Sequence, residues 1–122
     1  MADIRRLTVR FDDEAFAEDV DHATAAGRRV AQEARIRLER EGLATTEARR
    51  CMAEGPDGTR LPHCVKVYLP PPDGQWGLVL EVVRSQRTLQ LAYLAFGLRH
   101  PDQPWQPSVY QVAHRRLHAG ET

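Results

Sequence analysis

Arg99, His100 and Tyr110 fall within a dozen residues of one another, in the stretch Leu89 to Leu117 that reads LQLAYLAFGLRHPDQPWQPSVYQVAHRRL. A cation, an imidazole and a phenol together can hold an anion and move a proton, the imidazole because it titrates near neutral pH and serves as base or acid. A fourth residue stands out by composition. Sixteen of the seventeen basic residues are arginine, and the single lysine is Lys66.

These side chains need elements to position them. The run Thr88 to Phe96 reads as an apolar strand, with Gly97 as its stop and Arg99 and His100 on a polar corner. A short helix follows from about Ser108, with Tyr110 in its first turn. Lys66 sits in HCVKVYL, residues 63 to 69, which alternates Val65, Val67 and Leu69 against Cys64, Lys66 and Tyr68, the period of a half-buried strand. PPPDG, residues 70 to 74, turns the chain into a further strand, Trp76 to Val83, and RSQR, residues 84 to 87, turns it again. Three antiparallel strands in a meander result.

Upstream, Leu7 to Phe11 alternates as a strand that can join the sheet at its edge. Asp12 and Asp13 then open a helical region whose apolar positions, from Phe16 to Leu38, step by three or four residues until Gly42. Thr24 and Gly27 offer a break, so a helical hairpin and one long rod are both open. TTEARRCMAEG permits one more short turn capped by Thr45 or Thr46, and residues 55 to 62 form a connecting loop. The expected fold is α+β: an N-terminal strand, a helical hairpin, a three-stranded meander and a C-terminal helix, with the helices on one face of the sheet.

The 122 residues suit one domain, 1–122, and the 42% apolar and 28% charged content is that of a globular protein. No window approaches a membrane span, and MADIRRLTVRF lacks the apolar core of a secretory signal, so the expected location is cytoplasmic with no membrane partner. Net charge is zero, yet after Glu54 seven basic residues face five acidic ones, alongside four of the five histidines. That asymmetry permits an RNA-facing surface.

Other residues have plainer readings. His114 and His118 lie four apart on a helix but lack a third ligand, and Cys51, His63 and Cys64 lack any zinc spacing, so no metal and no cofactor is expected. Trp76 and Trp105 have faces on which bases can stack. In a strand Trp76 reads as core, and in DQPWQP Trp105 reads as a loop anchor.

The order of elements resembles the RelE/ParE superfamily of type II toxins over nearly the whole chain. The likeness is carried by LPHCVKVYL, GQWGLVLEV, and AFGLRH followed by SVYQVAHRRL. The RelE branch cuts messenger RNA on the ribosome without a metal, by attack of the ribose 2′-hydroxyl on the adjacent phosphate. This needs a base, an acid for the leaving oxygen and cations for the charge on the phosphorane. The resemblance implies proton transfer for Lys66, contact with the scissile phosphate for Arg99, and placement of the nucleotide for Tyr110. His100 is the better of two histidines, with His63, to supplement them.

Two positions depart from the pattern. A second basic residue would fall on Tyr68, and an arginine of the central strand on Gly77. Losing one positioned cation costs on the order of 10² to 10³ in rate. Three functions therefore stand as expectations. The first is a metal-independent endoribonuclease toxin acting on mRNA at the ribosome and neutralised by a cognate antitoxin. The others are a ParE-like toxin that inhibits gyrase, which the two departures favour, and a catalytically impaired interaction module of the same fold.

Overall fold

Two side-chain caps settle the helical region. The Asp12 carboxylate accepts the Ala15 amide at 3.1 Å and the Thr24 hydroxyl accepts the Gly27 amide at 3.1 Å, each taking up a donor that a first turn leaves unpaired. The computed structural model describes residues 4–44 and 46–121, and in it the region forms two helices, α1 (Asp13–His22) and α2 (Ala25–Glu41). The hairpin alternative is therefore the observed one. Gly42 closes α2 with φ at 60°, and a Cβ there would lie 2.6 Å from the Leu7 carbonyl oxygen. Gly27 serves packing: it lets α2 press on the Trp76 ring, where a Cβ would meet ring carbons at 2.5 Å.

Strands β1 (Val9–Arg10), β2 (Glu47–Arg50), β3 (Cys64–Tyr68), β4 (Trp76–Ser85) and β5 (Thr88–Leu98) make one mixed sheet in the order β1-β5-β4-β3-β2. Its centre is the expected meander, with β3, β4 and β5 paired antiparallel. β1 joins the edge, shorter than its alternation predicts and parallel to Leu91 and Ala92 of β5. The fold is α+β, with three α-helices and five strands among the described residues.

Three expectations are corrected. Where TTEARR suggests a short turn, residues 47–50 form an edge strand, and Thr45 lies outside the described residues. β3 offers its backbone edge there and β2 pairs antiparallel with it, with the charged side chains of Glu47, Arg49 and Arg50 exposed on this outer strand while Ala48 packs on the core. Gly97 does not stop β5, which runs on to Leu98, and Val109 of α3 packs over it at ordinary contact distance.

The third correction concerns the layers. Helix α3 (Val109–Leu117) lies on the face of the sheet opposite α1 and α2. Both faces of the central strands are apolar: Val65, Val67, Leu78 and Leu80 pack under the helical hairpin, and Cys64, Val79 and Ala95 pack under Val109 and Ala113. A register shift at Val79/Leu80 adds Leu94 to the second cluster, beside Ala95. A sheet buried on both faces needs a cover on both. No helix among the described residues is long and apolar enough to cross a membrane.

Because β1 pairs with β5 at Leu91 and Ala92, the outer edge of β5 beyond them has no strand partner among the described residues. Side chains from both helical layers close it. Asp19 of α1 accepts the Phe96 amide at 3.0 Å and the Tyr93 hydroxyl, while Arg116 of α3 donates to the Leu94 carbonyl at 2.9 Å. Arg116 also grips Asp19 with two hydrogen bonds, at 2.7 and 2.8 Å. Burial works against the Arg116 charge, but the Asp19 carboxylate, helped by Tyr93 and Glu18, offsets it and the guanidinium pKa rises. Burial, and then the Asp19 charge, raises the Tyr93 phenol and keeps it protonated.

Removing Arg116 leaves the buried Asp19 carboxylate without a cation, and removing Asp19 leaves Arg116 only the exposed Glu18 carboxylate at 3.4 Å among the described residues, so either loss costs about 3 kcal/mol. Asp19→Ala and Arg116→Ala should each lower Tm by about 10 °C. A double-mutant cycle read by thermal unfolding should give a coupling of more than about 1.5 kcal/mol, and additive effects would contradict the clamp.

Candidate functional site

The side of the sheet that carries α3 also carries Lys66, Tyr68 and Gly77, because Lys66 pairs with Val79 and Tyr68 with Gly77 across β3 and β4. The capping box at the start of α3, in which the Ser108 hydroxyl accepts the Gln111 amide and the Gln111 side chain accepts the Ser108 amide, fixes the turn that holds Tyr110. Lys66, Arg99, His100 and Tyr110 then line one cleft of about 560 Å³ between the sheet, the residues after β5 and the segment after β2. His63 does not join them. It lines a separate depression with Arg50, Cys64 and Arg84.

Arg99 is the most tightly placed of the four. Its Nε donates to the Tyr110 hydroxyl oxygen at 3.1 Å, an Nη donates to the Gly74 carbonyl at 3.4 Å, and the guanidinium carbon stands 4.5 Å from the centre of the Tyr68 ring. Its aliphatic stem crosses Gly77, where a Cβ would lie 3.0 Å from Cγ and 3.3 Å from Cδ. Gly77 is thus the bed for Arg99, and Tyr68 its platform. An arginine at position 77 would occupy the space that the Arg99 stem already fills.

Lys66 Nζ stands 5.9 Å from the centres of both the Tyr68 and Tyr110 rings. Among the described residues neither Lys66 nor Arg99 pairs with a carboxylate, so both charges remain available to an anion. The Tyr110 oxygen accepts from Arg99 and keeps its own proton to donate. His100 is exposed at the rim. The group can hold an oxyanion between two cations and a phenol, with an imidazole within the same cleft.

One wall of the cleft had no signature in the residue pattern. The segment from Cys51 to Leu61 folds back on itself through the Glu54–Arg60 bridge, and α3 pins it from across the cleft. The Arg60 amide donates to His114 Nδ1 at 2.8 Å, and His118 Nε2 bonds the Arg60 carbonyl at 2.8 Å. His118 Nδ1 in turn meets Glu121 at 2.6 Å. The two histidines therefore act as a backbone clasp. Among the described residues no three His, Cys, Asp or Glu side chains gather as a metal site.

The cysteines are neighbours across strands, the Cys51 amide bonding the Cys64 carbonyl at 2.9 Å. Burial pushes the Cys64 thiol up to about 12, aided by Cys51 and Glu81, and burial raises Cys51 as well although Lys66 opposes it. Neither is a ready nucleophile. Trp76 is core, stacked on Phe96 with ring centres 5.3 Å apart, whereas Trp105 is 79% exposed and does not anchor its loop.

No family model, curated protein or solved structure matches the chain.

The contact between Arg99 and Tyr110 has a direct readout. Tyr110→Phe should leave the fold intact, at a cost of about 1 kcal/mol, and speed solvent exchange of the Arg99 Nε proton in a nitrogen-15 correlation spectrum. An unchanged exchange rate would contradict the hydrogen bond.

Proposed function

We propose that the chain is a RelE-like, metal-independent endoribonuclease that cuts mRNA at the ribosome and is held in check by a cognate antitoxin. The observation that supports this best is the convergence of two cations without carboxylate partners among the described residues on Tyr110 in a single cleft, Arg99 at its hydroxyl and Lys66 5.9 Å from the centre of its ring.

In this reading the scissile phosphate lies against the free end of the Arg99 guanidinium, whose orientation Tyr110, Gly74 and Tyr68 already fix. Preorganised charge of this kind stabilises the phosphorane without reorganising during the reaction. The 2′-hydroxyl of the upstream ribose attacks phosphorus, the bond to the 5′-oxygen breaks, and the products carry a 2′,3′-cyclic phosphate and a 5′-hydroxyl. Lys66 and His100 are the proton-transfer groups, and the Tyr110 phenol positions the nucleotide and donates a hydrogen bond to it. Tyr68 and Gly77 stand where further cations would be expected, and both are spent on holding Arg99. An antitoxin that covers the cleft or displaces α3 would block all four side chains together.

Inducing the chain alone in bacteria and mapping RNA ends tests the proposal. Growth arrest with new cuts within translated messages is expected, and Lys66→Ala or Arg99→Ala should reduce cutting by about 10²-fold. The absence of both cuts and arrest would remove the toxin reading. Arrest without cuts, unchanged in the Lys66→Ala/Arg99→Ala double variant, would transfer it to a ParE-like inhibitor of gyrase, the alternative that Tyr68 and Gly77 favour.

A further inference from the structure

The segment from Pro101 to Pro107 joins β5 to α3 and lifts Trp105 into solvent, with the ring 79% exposed. Proline at 101, 104 and 107 restricts the backbone on both sides of it, and the Gln106 amide closes a turn onto the Gln103 carbonyl at 3.1 Å. A large apolar ring held outward on a stiffened loop is a surface kept ready for contact. Beside it lies a second depression of about 490 Å³, lined by Trp105, Gly58, His114 and Arg115. This depression and the Arg99 cleft share Asp57, Thr59, Pro104, Gln106 and Gln111, so the two adjoin, and together they make a trough along this side of the molecule.

We propose that this trough is the track of a single-stranded RNA, with a base of a nucleotide next to the scissile phosphate stacked on Trp105. The inference rests on the ribonuclease reading and adds a binding subsite to it. The chemistry alternates along the trough as a nucleotide chain requires. Lys66 and Arg99 offer charge to one phosphate, and Arg115, exposed and without a carboxylate partner among the described residues, offers it to another. Between them stands the Asp57 carboxylate, held by the Thr59 amide and hydroxyl at 3.2 and 2.7 Å. The Thr59 hydroxyl, against a smaller opposing effect of burial, lowers the Asp57 pKa and keeps it charged. A carboxylate repels a phosphate and suits the N–H groups on a base edge, so the stretch between the cations receives a base. Trp105 supplies the face for that base, because aromatic stacking tolerates any sequence.

The test uses the full chain and a short single-stranded 2′-O-methyl oligonucleotide, which lacks the attacking hydroxyl, labelled for anisotropy. Trp76 is buried, so a change in tryptophan emission on binding reports Trp105. Quenching is expected in the wild type, with affinity about ten-fold weaker in Trp105→Ala and partly kept in Trp105→Phe. Emission unchanged on binding, together with equal affinity in Trp105→Ala, would overturn the subsite and leave the ribonuclease reading standing. Failure of the oligonucleotide to bind the wild-type chain at all would likewise overturn the subsite, while the mapped RNA ends decide the ribonuclease reading separately.

Discussion

The two-pronged bond between Asp19 and Arg116 ties the three layers of the molecule together. One partner comes from the helical hairpin and the other from the closing helix on the opposite face, and they meet over an edge of β5 that no strand covers. Around that edge Leu94, Tyr93 and Phe96 all find their hydrogen-bond partners in the same two side chains. Left open, these groups would face the loss that any half-buried polar group suffers without a partner, and would offer a docking edge for another chain. The pair also sets the position of α3. Six residues, or about 9 Å along a helix, separate Arg116 from Tyr110, so the clamp on β5 fixes the phenol that orients Arg99, itself one residue past the end of β5.

The cleft shows how few charges can be made to serve. Arg99 has no carboxylate to hold it among the described residues; a phenol, a carbonyl and an aromatic face do so, and none of them cancels its charge. The absence of a side chain at Gly77 is what permits this, because the arginine stem lies flat where a side chain would stand. Positioning without neutralisation suits a group meant to meet an anion. The opposite arrangement appears at Arg116, which is neutralised by Asp19 and acts as structure.

Local patterns made much of this legible. Asp12, Thr24 and Ser108 announce their helices because a cap is a contact within three residues. The meander follows from alternation and turn formers. Lys66, Arg99, His100 and Tyr110 were nominated from residue type, and from a resemblance, and they do line one cleft. What could not be read depended on distant partners. The residues Glu47 to Arg50 have no strand signal of their own and pair because β3 presents an edge. Alternation in β3 to β5 says that faces differ but does not say which helix covers which, since Cys64, Val79 and Ala95 are nearly as apolar as their neighbours. The wall from Cys51 to Leu61 stands because histidines more than fifty residues away clasp the backbone of Arg60. His114 and His118, four residues apart, face the same way, and that spacing lets both reach the backbone of Arg60.

The terminal chemistry of a cut message tests the proposed reaction most directly. When the purified chain is added to translating ribosomes, the upstream fragment should end in a 2′,3′-cyclic phosphate and the downstream fragment should begin with a 5′-hydroxyl. Messages left whole, or fragments beginning with a 5′-phosphate, would contradict attack by the 2′-hydroxyl in the Arg99 cleft.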